Sequence, residues 1–338
     1  MKKLLVTIVL ITLTLSSVLA EGQKDSSEKT YSITAGIGLN DKSAQYEPLI
    51  SFKELVQKNS NGRITVDVYH SSQLGDDREM MEALQRGEQE ITCPSTAPII
   101  TFNPEYGVFD LPFLFPTAES ADYVLDGKIG QELLDSLSLV GIKGLAFWEN
   151  GYRNLTNSVQ AVYSPEDAEG LKIRTMENPM HLDAWIALGA NPTPMAFGEL
   201  FSAMQQGVVD GQENPWGTIY LQSFYEVQSF ATDTGHVYSP FVLMIAQKFF
   251  DDLPSDLQKV VEDAAIRSKD KNRELNRRYN REYKEKLKDL MTVVELTPEQ
   301  KAEFQKAVMP VYDTYAKAIG QDVIDGVLSE IKKFNSNN

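Results

Sequence analysis

Cysteine is almost absent from this chain: Cys93 is the only one in 338 residues. No internal disulfide can form, so stability must come from a packed core. Following Glu90-Ile91-Thr92 at the end of an expected strand, that thiol reads as a small buried side chain and not as a nucleophile. Histidine is scarce too. His70, His181 and His236 stand far apart, and no His-x-x-x-His or Cys/His spacing offers a zinc site. Neither a metal nor another cofactor is expected. The chain lacks a Gly-x-Ser-x-Gly elbow and a phosphate loop, and Gly36-Ile37-Gly38 is missing the third glycine of a dinucleotide fingerprint. Positive charge is in deficit, with 32 Lys and Arg against 48 Asp and Glu and a net charge of −16. Nucleic acid and anionic membranes are therefore poor partners. No apolar run reaches the ~20 residues that span a bilayer, so direct membrane insertion is not expected.

What is present begins with an export signal. Lys2 and Lys3 precede a nearly unbroken apolar run over 4–15, and Val18, Leu19 and Ala20 supply a processing site. Residues 1–20 read as a cleaved signal peptide that sends the chain to the periplasm, followed by a polar, disordered lead-in over 21–29. Removing the two signal lysines takes the net charge from −16 to −18. A small anion must then be held by a few local arginines acting against the field of the whole protein.

From residue 31 short apolar runs alternate with amphipathic patterns, which predicts an α/β fold with a mainly parallel sheet. Strands are expected at 31–37, 64–69 and 90–93, with helices at 47–57 and 78–85. A second series carries strands at 141–148, 171–174 and 208–209 and helices at 180–188 and 199–205. A strand at 241–246 reads as a return crossing. The architecture expected is two domains around a ligand cleft with hinge strands, one formed by 30–151 with 240–279 and the other by 152–239 with 280–338. About 35 residues from Ser255 form one helix of ~50 Å, enough to span both domains, with Ser255 and Gln258 as its capping box. Thr297 caps a further helix. The alternating charges on the long helix's outer face favour a monomer.

The chemistry on offer is recognition. Arg174 ends an apolar run, where a guanidinium that cannot be neutralised needs an anionic partner, and Glu177 is the sole acid nearby in sequence. Phe197 and Trp216 are candidate pocket walls, interleaved with Asn150, Arg153 and Asn214, and Tyr238 lies beside the return crossing. Arginine forks match carboxylates in a bidentate way. Asn214 has a second reading as the cap of a helix starting at Pro215. The adjacent Asp76 and Asp77 precede a helix and read as its N-cap and dipole partners. A secreted hydrolase or lyase for acidic sugars, working through Asp76, Asp77 or Glu213, is the rival from another class.

Five motifs in order, Gly75-Asp76-Asp77-Arg78, Phe147 to Arg153, Leu171 to Arg174, Pro194 to Leu200 and Val209 to Pro215, resemble the extracytoplasmic solute-binding proteins of tripartite ATP-independent periplasmic (TRAP) transporters, of the dicarboxylate-binding DctP type. The resemblance covers essentially the whole exported chain. It implies a non-enzymatic, two-domain binding protein that closes on an organic acid and delivers it to a sodium-driven membrane permease. It also implies that Arg174 makes the main salt bridge to the ligand carboxylate, that Arg153 assists, and that Asn214 and Phe197 line the site. Ser95 stands where sialic-acid-binding members carry a glutamate. That disfavours sialic acid and leaves sugar acids such as hexuronates, hydroxy acids and C4-dicarboxylates as ligand classes.

Overall fold

The computed structural model describes residues 29–337. The expected signal peptide over 1–20 and residues 21–28 of the lead-in lie outside the described residues. Nine strands form one mixed sheet: β1 (Tyr31–Gly36), β2 (Ile64–Tyr69), β3 (Ile91–Thr92), β4 (Ile142–Asn157), β5 (Lys172–Thr175), β6 (Asn191–Pro194), β7 (Gly211–Asn214), β8 (Phe230–Ala246) and β9 (Thr292–Val294). Their order is β2-β1-β3-β8-β4-β7-β5-β6, with β9 paired to β8. The wings are parallel, β1 with β2 and β3 on one side and β5 with β6 and β7 on the other. The middle is antiparallel, where β8 meets β3 and β4, and β4 meets β7.

The two central strands are about two to three times as long as their apolar patterns predict. β4 has 16 residues and β8 has 17, where strands at 141–148 and 241–246 were expected. The apolar signal fades at Glu149 and Asn150, but the pairing continues across a register shift between Glu149 and Gly151. Gly151 makes this bulge possible. Its φ is +111°, and a Cβ there would sit 3.0 Å from Asn280 Nδ2. Both strands therefore run unbroken from one wing to the other.

The short strand expected at 208–209 lies instead at β7, a few residues on. Val208 and Val209 fall in the turn after Gly207, their amides returning to the Ala203 carbonyl. In β7 the polar residues Gln212 and Glu213 are fully buried, because Thr156 and Arg153 supply them with partners. Hydrophobic patterning cannot locate such a strand.

The long helix is Ser255–Leu287, 33 residues. It packs against helix Tyr46–Asn59, against β4 and against helix Trp216–Leu221, and so touches both wings. Its expected capping box does not form. Pro254 occupies the cap and its carbonyl accepts from Gln258 N at 2.9 Å, while the Gln258 side chain donates to Phe250 O. Thr297 does form a capping box, with Gln300. Arg273 and Arg277 reach from the long helix to Asp126, Asp122 and Glu149. The C-terminal helix Gln321–Asn337 lies on Ala118–Leu125, so the end of the chain also packs on its first half. One apolar cluster sits under the β2-β1-β3 wing, a second fills the centre, and a small third surrounds Trp216.

Candidate functional site

The parallel strands of both wings end at the same place. Gly38 and Leu39 follow β1, Ser95 follows β3, Arg174 and Met176 close β5, Met195 to Phe197 follow β6, and Asn214 ends β7. All of them line one cavity, together with Asn150 and Arg153 of β4 and Phe241 of β8. The cavity holds about 620 Å³ of space not filled by atoms, part of it open to solvent. Carboxyl ends of parallel strands are where α/β sheets gather ligands, and an apolar and aromatic lining with a few convergent polar groups is the character of a small-molecule site.

Arg174 is 2 % exposed. Its Nε and Nη2 donate to the Met195 carbonyl at 2.9 and 2.6 Å, and not to Glu177. Its Nη1 is buried without a partner. Burial, and then the neighbouring Arg153, lower the guanidinium to about 10. The charge is held in place by a neutral carbonyl and by the ring of Phe197, whose centroid lies 6.0 Å away.

Arg153 is arranged differently. It forms a buried ion pair with Glu213, with Nη2 at 2.8 Å from Oε1 and further bonds to Oε2 and to the Glu213 carbonyl. His236 Nε2 lies 3.2 Å from the same carboxylate, and the ring's Nδ1 lies 2.7 Å from Thr234 Oγ1. Burial pushes the Glu213 carboxyl up, but Arg153 and His236 outweigh it and hold it well below the usual carboxylate range. Arg153 is thus neutralised, yet its Nη1 remains unpartnered and buried. The uncompensated positive charge of the cavity belongs to Arg174.

Six of the eight residues singled out from sequence meet here: Arg174, Arg153, Asn214, Phe197, Ser95 and Asn150. The Ser95 hydroxyl lies 3.3 Å from both Ser239 Oγ and Met176 Sδ, and Asn150 Nδ2 reaches Ser239 Oγ at 3.5 Å. Asn214 does not cap a helix. The helix starts at Trp216 with Pro215 as its cap, and the Asn214 amide donates to Gln212 Oε1 at 2.5 Å. Trp216 and Tyr238 lie elsewhere. Tyr238 is adjacent to Ser239 on β8, so the two-residue alternation of a strand turns it to the opposite face. There it packs on Tyr152 and Phe115 and donates to Glu149 Oε2 at 3.2 Å. Trp216 opens the helix after Asn214 and turns into the small third cluster, beneath Lys284.

Asp77, Gln45, Met176 and Phe241 line the cavity without having been singled out as site residues. Asp76 does cap the following helix in a box with Glu79, as its position implied. Its neighbour Asp77 instead turns inward and accepts from Ser95 N at 3.3 Å. Burial, with Asp76 alongside, pushes the Asp77 carboxyl up to about 7 against the pull of the Ser95 amide and Arg174. Gln45 braces the loop after β1, donating to Cys93 O at 2.6 Å and accepting from Leu39 N. The continuous apolar run at 241–246 marked Phe241 as buried without assigning it to a site; nothing in the local sequence marked Gln45.

A family model described as bacterial extracellular solute-binding protein, family 7, matches residues 35–318. A solute-binding protein of Verminephrobacter eiseniae is 41% identical over 280 residues, 82% of this chain and 83% of that one. The C4-dicarboxylate-binding periplasmic protein DctP of Rhodobacter capsulatus is 37% identical over 282 residues, 82% of this chain and 84% of its own. Among solved structures, the sugar acid binding protein DctPAm of Advenella mimigardefordensis in complex with galactonate shares 41% identity. It superposes with a TM-score of 0.88 over 90% of this chain and 99% of that one.

Proposed function

Because this chain belongs to the family 7 bacterial extracellular solute-binding proteins, we propose that it captures an organic carboxylate at the Arg174 cavity and hands it to a sodium-coupled permease. It is a TRAP-type solute-binding protein and not an enzyme, so the hydrolase or lyase alternative falls. The observation that carries the ligand class is the pair of buried, unpartnered nitrogens, Nη1 of Arg174 and Nη1 of Arg153, on two residues that both line the cavity. A carboxylate supplies two acceptor oxygens to such a pair, and charge-assisted bonds in a dry site are the strong ones.

Binding proceeds by closure of two units, 30–151 with 240–279 and 152–239 with 280–338, about β4, β8 and the long helix. Arg174, Phe197 and Asn214 hold the ligand from one side, and Ser95 with the loop after β1 meets it from the other. The protein works as a monomer in the periplasm after removal of residues 1–20. Sugar acids are the favoured ligands, because Asn150, Asn214, Ser95 and Asp77 offer hydroxyl partners beyond the arginines. Mass spectrometry of the small molecule released from protein purified without added ligand, followed by calorimetry against sugar acids and C4-dicarboxylates, tests this. Failure of every carboxylate to bind refutes it.

A further inference from the structure

Among the described residues, the two wings of the sheet touch at a point outside the lining of the ligand cavity. Asn40 lies in the loop after β1, and Leu221 is the last residue of helix Trp216–Leu221, which follows β7. The Asn40 amide Nδ2 donates to the Leu221 carbonyl at 2.8 Å. That carbonyl is one of the acceptors a helix leaves unsatisfied at its C-terminus, so the bond supplies a missing partner across the seam. Neither residue lines the ligand cavity. Beside the bond, Leu39 and Ala44 face Leu221 and Tyr279 across a narrow gap.

The Asn40 side chain is also aimed in advance. Its Oδ1 accepts from Lys42 N at 3.1 Å, and its carbonyl accepts from Ser43 N and Ser43 Oγ. The loop thus fixes the amide before the wings meet, and little rotamer freedom is lost on closing.

We propose that Asn40 is a latch residue: its amide ties the closed wings together and sets the residence time of any ligand in the cavity without touching it. This rests on the closure reading of the Arg174 site. A bond that forms only in the closed state raises the closed population and therefore affects every ligand by the same factor. A single neutral hydrogen bond corresponds to about a two- to tenfold change. The change falls on dissociation, because encounter precedes closing.

Two variants separate the latch from local loop support. Asn40→Ala removes both roles. Asn40→Asp keeps the acceptor for Lys42 N but turns an acceptor towards the Leu221 carbonyl. The expected result in stopped-flow binding is a dissociation rate raised about two- to tenfold by both variants, equally for each bound carboxylate, with association unchanged. Wild-type behaviour of Asn40→Asp, or a loss confined to one ligand, overturns the latch. A ligand-free arm keeps its failure distinct from that of the carboxylate reading. Cysteines at Lys42 and Gln222 flank the seam, and their cross-linking rate with a short bis-maleimide follows the closed population. Asn40→Asp is expected to slow cross-linking by a similar factor, and an unchanged rate overturns the latch even if no carboxylate binds.

Discussion

Replacing Arg174 by alanine tests the central claim, because the structure separates what the residue does for binding from what it does for folding. The guanidinium is buried, bonded to a carbonyl, and lowered to about 10 by its burial and by Arg153. A charged group made less comfortable by folding opposes the fold at neutral pH. Met195 is half-buried, so water can take the place of the guanidinium at its carbonyl. Thermal stability of ligand-free Arg174→Ala is therefore expected to equal or exceed that of wild type. Binding behaves oppositely. The carboxylate loses its charge-assisted bonds and is left desolvated beside an Arg153 already committed to Glu213. Truncating one partner of a buried, hydrogen-bonded charge pair costs roughly 2 to 5 kcal/mol, or about thirtyfold to several thousandfold in Kd. Arg174→Lys keeps the charge but loses the fork, and an intermediate loss is expected. Calorimetry with the ligand identified from purified protein, beside circular dichroism melts, provides both numbers. Affinity retained within about tenfold by Arg174→Ala, with an intact fold, refutes the assignment.

The buried Glu213 has the reverse balance. Glu213→Gln leaves Arg153 charged and unpaired, so urea unfolding should show a loss of about 3 to 5 kcal/mol, and a loss below about 1 kcal/mol would mean that the pair does not hold Arg153. Because the Glu213 carboxyl sits well below its unfolded value of 4.5, its contribution is present above that pH and lost as pH falls below it, and the variant should lack this acid-side loss. Asp77 is raised from 3.8 to about 7, so its charged form opposes folding. The advantage of Asp77→Asn over wild type should be near zero below pH 4, grow as pH rises to about 7, and then level off; a difference independent of pH contradicts the burial of that carboxyl. Asn214→Ala should weaken carboxylate binding by about 0.5 to 1.5 kcal/mol with little change in melting temperature, since the side chain lines the cavity and caps no helix.

What could be read from sequence follows from which interactions leave local patterns. The strands at 64–69 and 31–37, the helix behind Asp76 and the long helix from Ser255 are each driven by apolar periodicity or turn chemistry within a few residues, and all stand close to where they were expected. β7, the second half of β4 and the first half of β8 escaped, because their burial is largely polar. Arg153, Glu213 and His236 satisfy one another only after strands 60 and 23 residues apart in sequence come together, and no window of sequence shows that. The cavity divides along the same line. Arg174 was legible because an unpaired guanidinium in an apolar run is costly wherever it lies. Asp77 was not, because its neighbour Asp76 caps the helix, and two adjacent acids present one pattern while performing two tasks. Tyr238 and Trp216 fail for a geometric reason: nearness to site residues in sequence says nothing about which face of a strand, or which side of a helix start, a side chain takes. Exported proteins of this architecture should therefore reveal their anchoring charge in sequence, while the polar residues that tune the cavity emerge only when the wings are brought together.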